Sequence, residues 1–380
     1  MPNMKTSSFL AIAALASLSI ALPSQAQQAR PARGAIGPPE HAKVKPINDL
    51  PNPYATERDW GTLPDGRKWG SVSAIHVDID GKHIWAADRC GSNSCVGSDV
   101  DPIVKLDPNG KVVKSFGKGL IAWPHGMEVD SEGNVWVVDA CAATEAGAGR
   151  VCTKENKLGH QVIKFSPEGK VLLVIGTPGE MGDPPNYLTT PNDVLVAPDG
   201  SIFICETHGA QFMDEPGPEA KSRVSKYSPD GKFIKSFGQW GLKDGEFRSP
   251  HALAMDSQGR LFVADRGNRR IQIFTQDGEH LATWYQFSRI SGLFIDANDT
   301  LYAIDSESDD NYNPGWSKGL RIGSAKTGEV KYFIPAHESP RPSGMGGVGS
   351  MGEGVTVDKG GIIYAGEVGP IQGITKFTKK

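Results

Sequence analysis

One unit recurs along this chain and leaves it few ways to fold. Its clearest copy is GMEVDSEGNVWVVDA at 126–140, which returns as AIHVDIDGKHIWAADR (74–89), DVLVAPDGSIFICET (193–207) and ALAMDSQGRLFVADR (252–266). Looser copies are GLFIDANDTLYAIDS (292–306) and GVTVDKGGIIYAGEV (354–368). Each begins with alternating apolar residues, turns at D-x-x-G or D-x-x-D, and continues into a β-rich stretch that ends on Asp or Glu. Third and fourth strands follow in most copies, joined by turns such as SPEGK (166–170), SPDGK (228–232) and TQDGE (275–279). Six copies of a four-stranded unit predict an all-β, six-bladed β-propeller. Two packed sandwiches leave six units in register unexplained. The high glycine and proline content, 46 and 27 of 380 residues, suits a turn-rich β protein. The last copy ends in GITKFTKK (373–380), one strand short, and RDWGTLPDGRKWG (58–70) is expected to supply the missing outer strand.

The propeller is thus assigned to 57–380. Residues 27–56, rich in proline and charge with little to bury, read as a linker or extended arm. Residues 1–26 read as a cleaved export signal: Lys5 precedes the apolar run FLAIAALASLSIAL (9–22), and Ser24 and Ala26 stand at −3 and −1 of a cut. That run is too short and wrongly flanked for a membrane anchor, so no membrane insertion is expected and the mature protein is placed in the periplasm or outside the cell. Cysteine usage suits an oxidising space: Cys90 with Cys95 and Cys141 with Cys152 pair across small loops, and Cys205 is left as a buried small hydrophobe. A net charge of −4 with no basic block excludes nucleic acid as an expected partner.

In a propeller the innermost strand of each blade lines the central channel. At the entrance to that strand the six units carry Ser73, His125, Asn192, His251, Ser291 and Glu353. The metal-ligand types, His125, His251 and Glu353, fall in blades two, four and six, so three side chains converge about 120° apart at the channel mouth. Two histidines and a carboxylate with one position open are a catalytic zinc set. The second strands return to the same mouth and end in Asp88, Asp139, Glu206, Asp265, Asp305 and Glu367, an acid in every blade and so a structural ring. Residues just beyond the acids vary. Arg89 and Arg266 suit a substrate carboxylate, and surface ion pairs with the adjacent acids are their alternative role. His208, two past Glu206, suits proton transfer near neutral pH. Long insertions (90–101, 140–160, 207–222, 306–318 and 335–350) emerge at this mouth, as over a working site. DSESDDNYN (305–313) lacks calcium-loop spacing and reads as a solvated loop.

The units resemble NHL repeats, VADRGNRRIQIF (263–274) most of all. PHGMEVDSEGNVWVVD and SPHALAMDSQGRLFVADRGNRRIQIF further resemble blades of the peptidyl-α-hydroxyglycine α-amidating lyases. That resemblance implies a six-bladed propeller whose channel zinc is held by three histidines, cleaving the carbinolamine of a hydroxylated glycine to an amide and glyoxylate. By motif, two zinc histidines fall on His125 and His251, and the two active-site arginines on Arg89 and Arg266. The family's Met-Pro-His-Asp stretch aligns with MGEG (351–354): Met351 keeps its methionine, Glu353 takes the third ligand position, and Gly354 replaces the carboxylate of a structural calcium. His208 falls near the family's catalytic tyrosine. The expected function is an exported, zinc-dependent lyase acting on a small or peptidic, carboxylate-bearing carbinolamine. Its alternatives are a non-catalytic propeller that binds a peptide, glycan or protein, and a gluconolactonase-type hydrolase, which usually holds calcium on oxygen-rich ligands.

Overall fold

The computed structural model describes residues 37–141, 152–213, 215–217, 220–337, 351–369 and 371–380. The expected export signal at 1–26 lies outside them. Among the described residues are six four-stranded antiparallel sheets, each a blade. Blades 1 to 5 use consecutive strands, at 72–116, 124–175, 191–237, 250–284 and 292–335. Blade 6 takes its three inner strands from 354–379 and its outer strand from Tyr54–Glu57, which pairs with Lys376–Lys379.

The ring therefore closes by joining the chain ends, but not through 58–70. That segment packs as an apolar plug: Trp60 lies 4.7 Å from Tyr364 between ring centroids, and Trp60 and Leu63 join the apolar cluster between blades 6 and 1. The boundary set at 56/57 also falls inside the closing strand. The preceding residues run along blade 5, where Asn48 donates to Gly315 O and Arg321 donates to Ile47 O and Asn48.

The second strands are continuous apolar runs, IWAA, VWVV, IFIC and LFVA, buried at every position, so each blade buries both faces against its neighbours. Every core cluster lies between two consecutive blades. Trp85 and Phe116 of blade 1 pack with Val137 and Phe165 of blade 2, for example. Both expected disulfides are present, Cys90–Cys95 and Cys141–Cys152, and Cys205 is free and buried. No helix among the described residues is long and apolar enough to cross a membrane.

Two local features aim side chains at the axis. In blades 1 to 4 the innermost strand shifts register against its partner at Ser73, at His125–Gly126, at Asn192 and at His251. A bulge adds an unpaired residue and turns its side chain out of the pleat. The acid closing each second strand then fixes the chain entering the bulge. Asp88 accepts from Gly70 N, Asp139 from Ala122 N and Trp123 N, Glu206 from Thr189 N, and Asp265 from Arg248 N. Each satisfies a buried backbone donor that has no ladder partner.

Candidate metal centre

His125, His251 and Glu353 converge, as alternate-blade placement requires. The ring centroids of the two histidines are 4.7 Å apart, and Glu353 Oε1 lies 3.7 Å from His125 Nε2 and 3.4 Å from His251 Nε2. Their exposures of 4%, 1% and 7% set them inside the channel, not at an open mouth. His125 Nδ1 donates to Asn192 O at 2.8 Å and His251 Nδ1 to Ser291 O at 2.6 Å, each to the ring-position residue of the next blade. That bond fixes the tautomer and leaves the Nε2 lone pair facing inward, which is how a ligating histidine is oriented.

Electrostatics match. Burial, then the neighbouring His251, holds His125 well below the ordinary histidine range; burial and then Arg266 lower His251. Burial alone pushes the Glu353 carboxyl up, but the hydrogen bond with His251, the nearby His125 and the Arg266 guanidinium outweigh it and hold it well below the usual range. Neutral imidazoles beside a carboxylate are the protonation states a divalent ion requires. His125 Nε2 is buried without a hydrogen-bond partner, a cost that a bound cation removes. The residues present fit a metal ion.

His208 comes closer than its offset from Glu206 suggested. Its ring lies 4.9 Å from that of His125 and 5.4 Å from that of His251, edge-on to Trp123. One ligand atom each from His125, His208, His251 and Glu353 all fall within 4.8 Å of one another.

The arginines do not pair with their adjacent acids. Asp88 is bound by Arg67 and Asp265 by Arg270. Arg89 is buried, stacks 3.9 Å over Trp123, and donates to Pro124 O, Ser73 Oγ and Asn93 Oδ1. Arg266 reaches the ring itself: its Nη1 lies 2.6 Å from His251 Nε2 and 3.0 Å from Glu353 Oε1. Behind it, Gln211 Oε1 accepts from Arg266 Nε, and Glu307 binds both Arg266 and Arg289. Sequence reasoning missed Gln211, Arg289 and Glu307. Glu307 sits in the stretch read as a solvated loop, yet its side chain is 14% exposed and burial is outweighed by Arg266 and Arg289, which hold its carboxyl low. Met351 is 1% exposed in the apolar cluster between blades 5 and 6, two residues before Glu353. Beneath the ring, a cavity of about 350 Å³ runs along the innermost strands.

Residues 247–274 match the NHL repeat family. The chain carries an NHL repeat and is similar to the amidating lyases. The peptidyl-glycine alpha-amidating monooxygenase of Mus musculus is 29% identical over 299 residues, covering 70% of this chain and 28% of that protein. The chain thus spans little more than a quarter of that relative's length. A probable peptidyl-alpha-hydroxyglycine alpha-amidating lyase of Caenorhabditis elegans is 27% identical over 57% of this chain and 58% of its own. Among solved structures, a gluconolactonase of Xanthomonas campestris superposes with a TM-score of 0.53 at 15% identity, covering 83% of this chain and 88% of that one. At that identity the likeness concerns the fold alone.

Proposed function

We propose that the chain is an exported, metal-dependent lyase that cleaves a small, carboxylate-bearing carbinolamine, releasing an aldehyde acid. The observation that carries this reading is the convergence of His125, His251 and Glu353 from alternate blades, beside two buried arginines. Likeness to the amidating lyases supports the reaction class, and the two disulfides support export.

His125, His251 and Glu353 would hold the divalent ion, which would supply Lewis acidity toward the substrate hydroxyl. In the reaction the hydroxyl loses its proton, its oxygen forms a carbonyl, the C–N bond breaks and the nitrogen takes a proton. Arg89 grips the substrate carboxylate, trading hydrogen bonds to the neutral Ser73 and Asn93 for charge-assisted ones. Arg266, held by Glu307 and Gln211, offers a second donor on the opposite side and keeps Glu353 ionised. Met351 contributes packing that places Glu353 and has no reacting group. Buried and neutral, His208 presents a lone pair to the same centre.

The test is metal analysis of full-length protein purified without chelator, with an assay of N-benzoyl-α-hydroxyglycine cleavage by glyoxylate release. The reading expects one divalent ion per chain and glyoxylate, with both markedly lowered in His251→Ala. Full-length protein free of stoichiometric metal overturns it.

A further inference from the structure

We propose that His208 is a fourth protein ligand, making a three-histidine, one-glutamate centre; this rests on the metal reading above. One ligand atom each from His125, His208, His251 and Glu353 all lie within 4.8 Å of one another, so small side-chain adjustments bring the four onto one ion. His208 is 7% exposed, and its Nδ1 is buried without a hydrogen-bond partner. An unsatisfied imidazole in an otherwise bonded site costs stability unless something fills it.

The backbone around His208 is built to aim it. Thr207 sits at φ 86° and ψ 71°, the left-handed region, which a β-branched residue rarely adopts. That turn reverses the chain leaving the second strand of blade 3 and throws His208 over the channel. The kink is held on several sides: Thr207 N donates to Thr190 O, His208 N to Thr190 Oγ1, and Ser222 N to Thr207 Oγ1. Ser249 and Gln211 both donate to His208 O. A proton carrier working alone needs room to turn between donor and acceptor. A ligand needs a fixed direction, and this backbone supplies one.

The consequence is chemical. Four protein donors complete a tetrahedron, so zinc in its usual geometry keeps no position for substrate. Turnover at this centre calls for an ion that accepts five or six ligands, such as Mn²⁺, Fe²⁺ or Co²⁺, whose remaining sites take the substrate hydroxyl. His208 thereby changes the metal preference that the two histidines and glutamate alone imply.

Co²⁺ is the probe, added to the full chain after metal removal, with binding followed by titration and by proton NMR. Each ligating imidazole contributes one hyperfine-shifted, solvent-exchangeable N–H signal. The proposal expects three such signals, falling to two in His208→Ala, with Co²⁺ affinity lower by at least ~100-fold, beyond what loss of an orienting partner costs. His208→Gln fills the same space and gives the same two signals should the alanine variant not fold. Two signals in the parent, unchanged in both variants, overturn the fourth ligand and leave the three-donor centre standing. No Co²⁺ bound by the parent overturns the metal reading beneath it.

Discussion

Among the ring residues, Glu353 has two partners that compete for it. Arg266 lies 3.0 Å away, and both histidines face it. Glu353→Ala should lower metal affinity markedly while lowering stability by only about 1–2 kcal/mol, because Arg266 keeps Glu307. Elemental analysis paired with a thermal melt separates the two effects. Asn192 offers His125 its backbone carbonyl, and its side chain donates to Pro250 O, so Asn192→Ala should retain metal. Loss of metal from the asparagine variant but not from the glutamate variant would break the alternate-blade reading. Arg89 should respond to geometry more than to charge. Arg89→Lys keeps the cation but loses the fork and its stacking on Trp123, so KM should rise about tenfold with kcat little changed. A fall in kcat alone in steady-state kinetics assigns Arg89 to the chemical step instead. These ring residues were legible in the sequence because they stand at one position of the repeated unit, the entrance to the innermost strand, so unlike side chains align. Gln211, Arg289 and Glu307 were not, because they stand in connections that share no period with the blades.

Strands with one buried residue escape pattern reading, and the closing strand is such a case. Tyr54–Glu57 buries Tyr54 and exposes the next three residues, so YATE shows no alternation, and the apolar Trp60 and Leu63 just beyond it drew the assignment instead. Its function in the fold is plain from the pairing of Tyr54 with Lys379 and Glu57 with Lys376. Removing residues 1–36 should leave the melting temperature unchanged, whereas removing 1–60 strips the outer strand and part of the plug between blades 6 and 1. Soluble, cooperatively unfolding protein from the longer deletion would show that the ring closes without its N-terminal strand. The Cys141–Cys152 bridge belongs to the same scale. It ties the end of a second strand to the connection that leads to the third, inside the cluster shared by blades 2 and 3. Cys141→Ala with Cys152→Ala should cost about 2–4 kcal/mol in denaturant unfolding. Thiol titration of the unreduced parent in denaturant should find one thiol, that of Cys205.

Across the whole molecule the two ends of the channel differ in charge. Above the ring stand the buried guanidinium groups of Arg89, Arg266 and Arg289; below it, the cavity is lined by Glu128, Asp193 and Asp256 among apolar side chains, with no Lys or Arg. An anionic substrate is drawn to the first end. The lower carboxyls also carry a stability signature. Burial pushes Asp193 up to about 7, and burial and then Asp193 raise Glu128 well above its ordinary range. A carboxyl whose folded pKa lies above its unfolded value binds more protons when folded. The stability these two carboxyls contribute is therefore full at low pH and declines as pH rises from about 4 towards 7, the window that Asp193 spans, while the buried histidines, held low, act in the opposite sense. Glu128→Gln and Asp193→Asn should both flatten that decline, so each gains on the parent as pH climbs from 5 to 8. Asp193→Asn starts about 1 kcal/mol behind, since Asp193 accepts from Leu253 N and Val194 N and an amide oxygen replaces only one acceptor well. Neither variant should move KM for a carboxylate substrate, because that charge enters from the arginine end. Unfolding in denaturant across pH 5–8 and steady-state kinetics at one pH read these separately. Variants whose pH dependence runs parallel to the parent's would show that both carboxyls ionise freely within the channel, and a raised KM in Glu128→Gln would place substrate at the lower end.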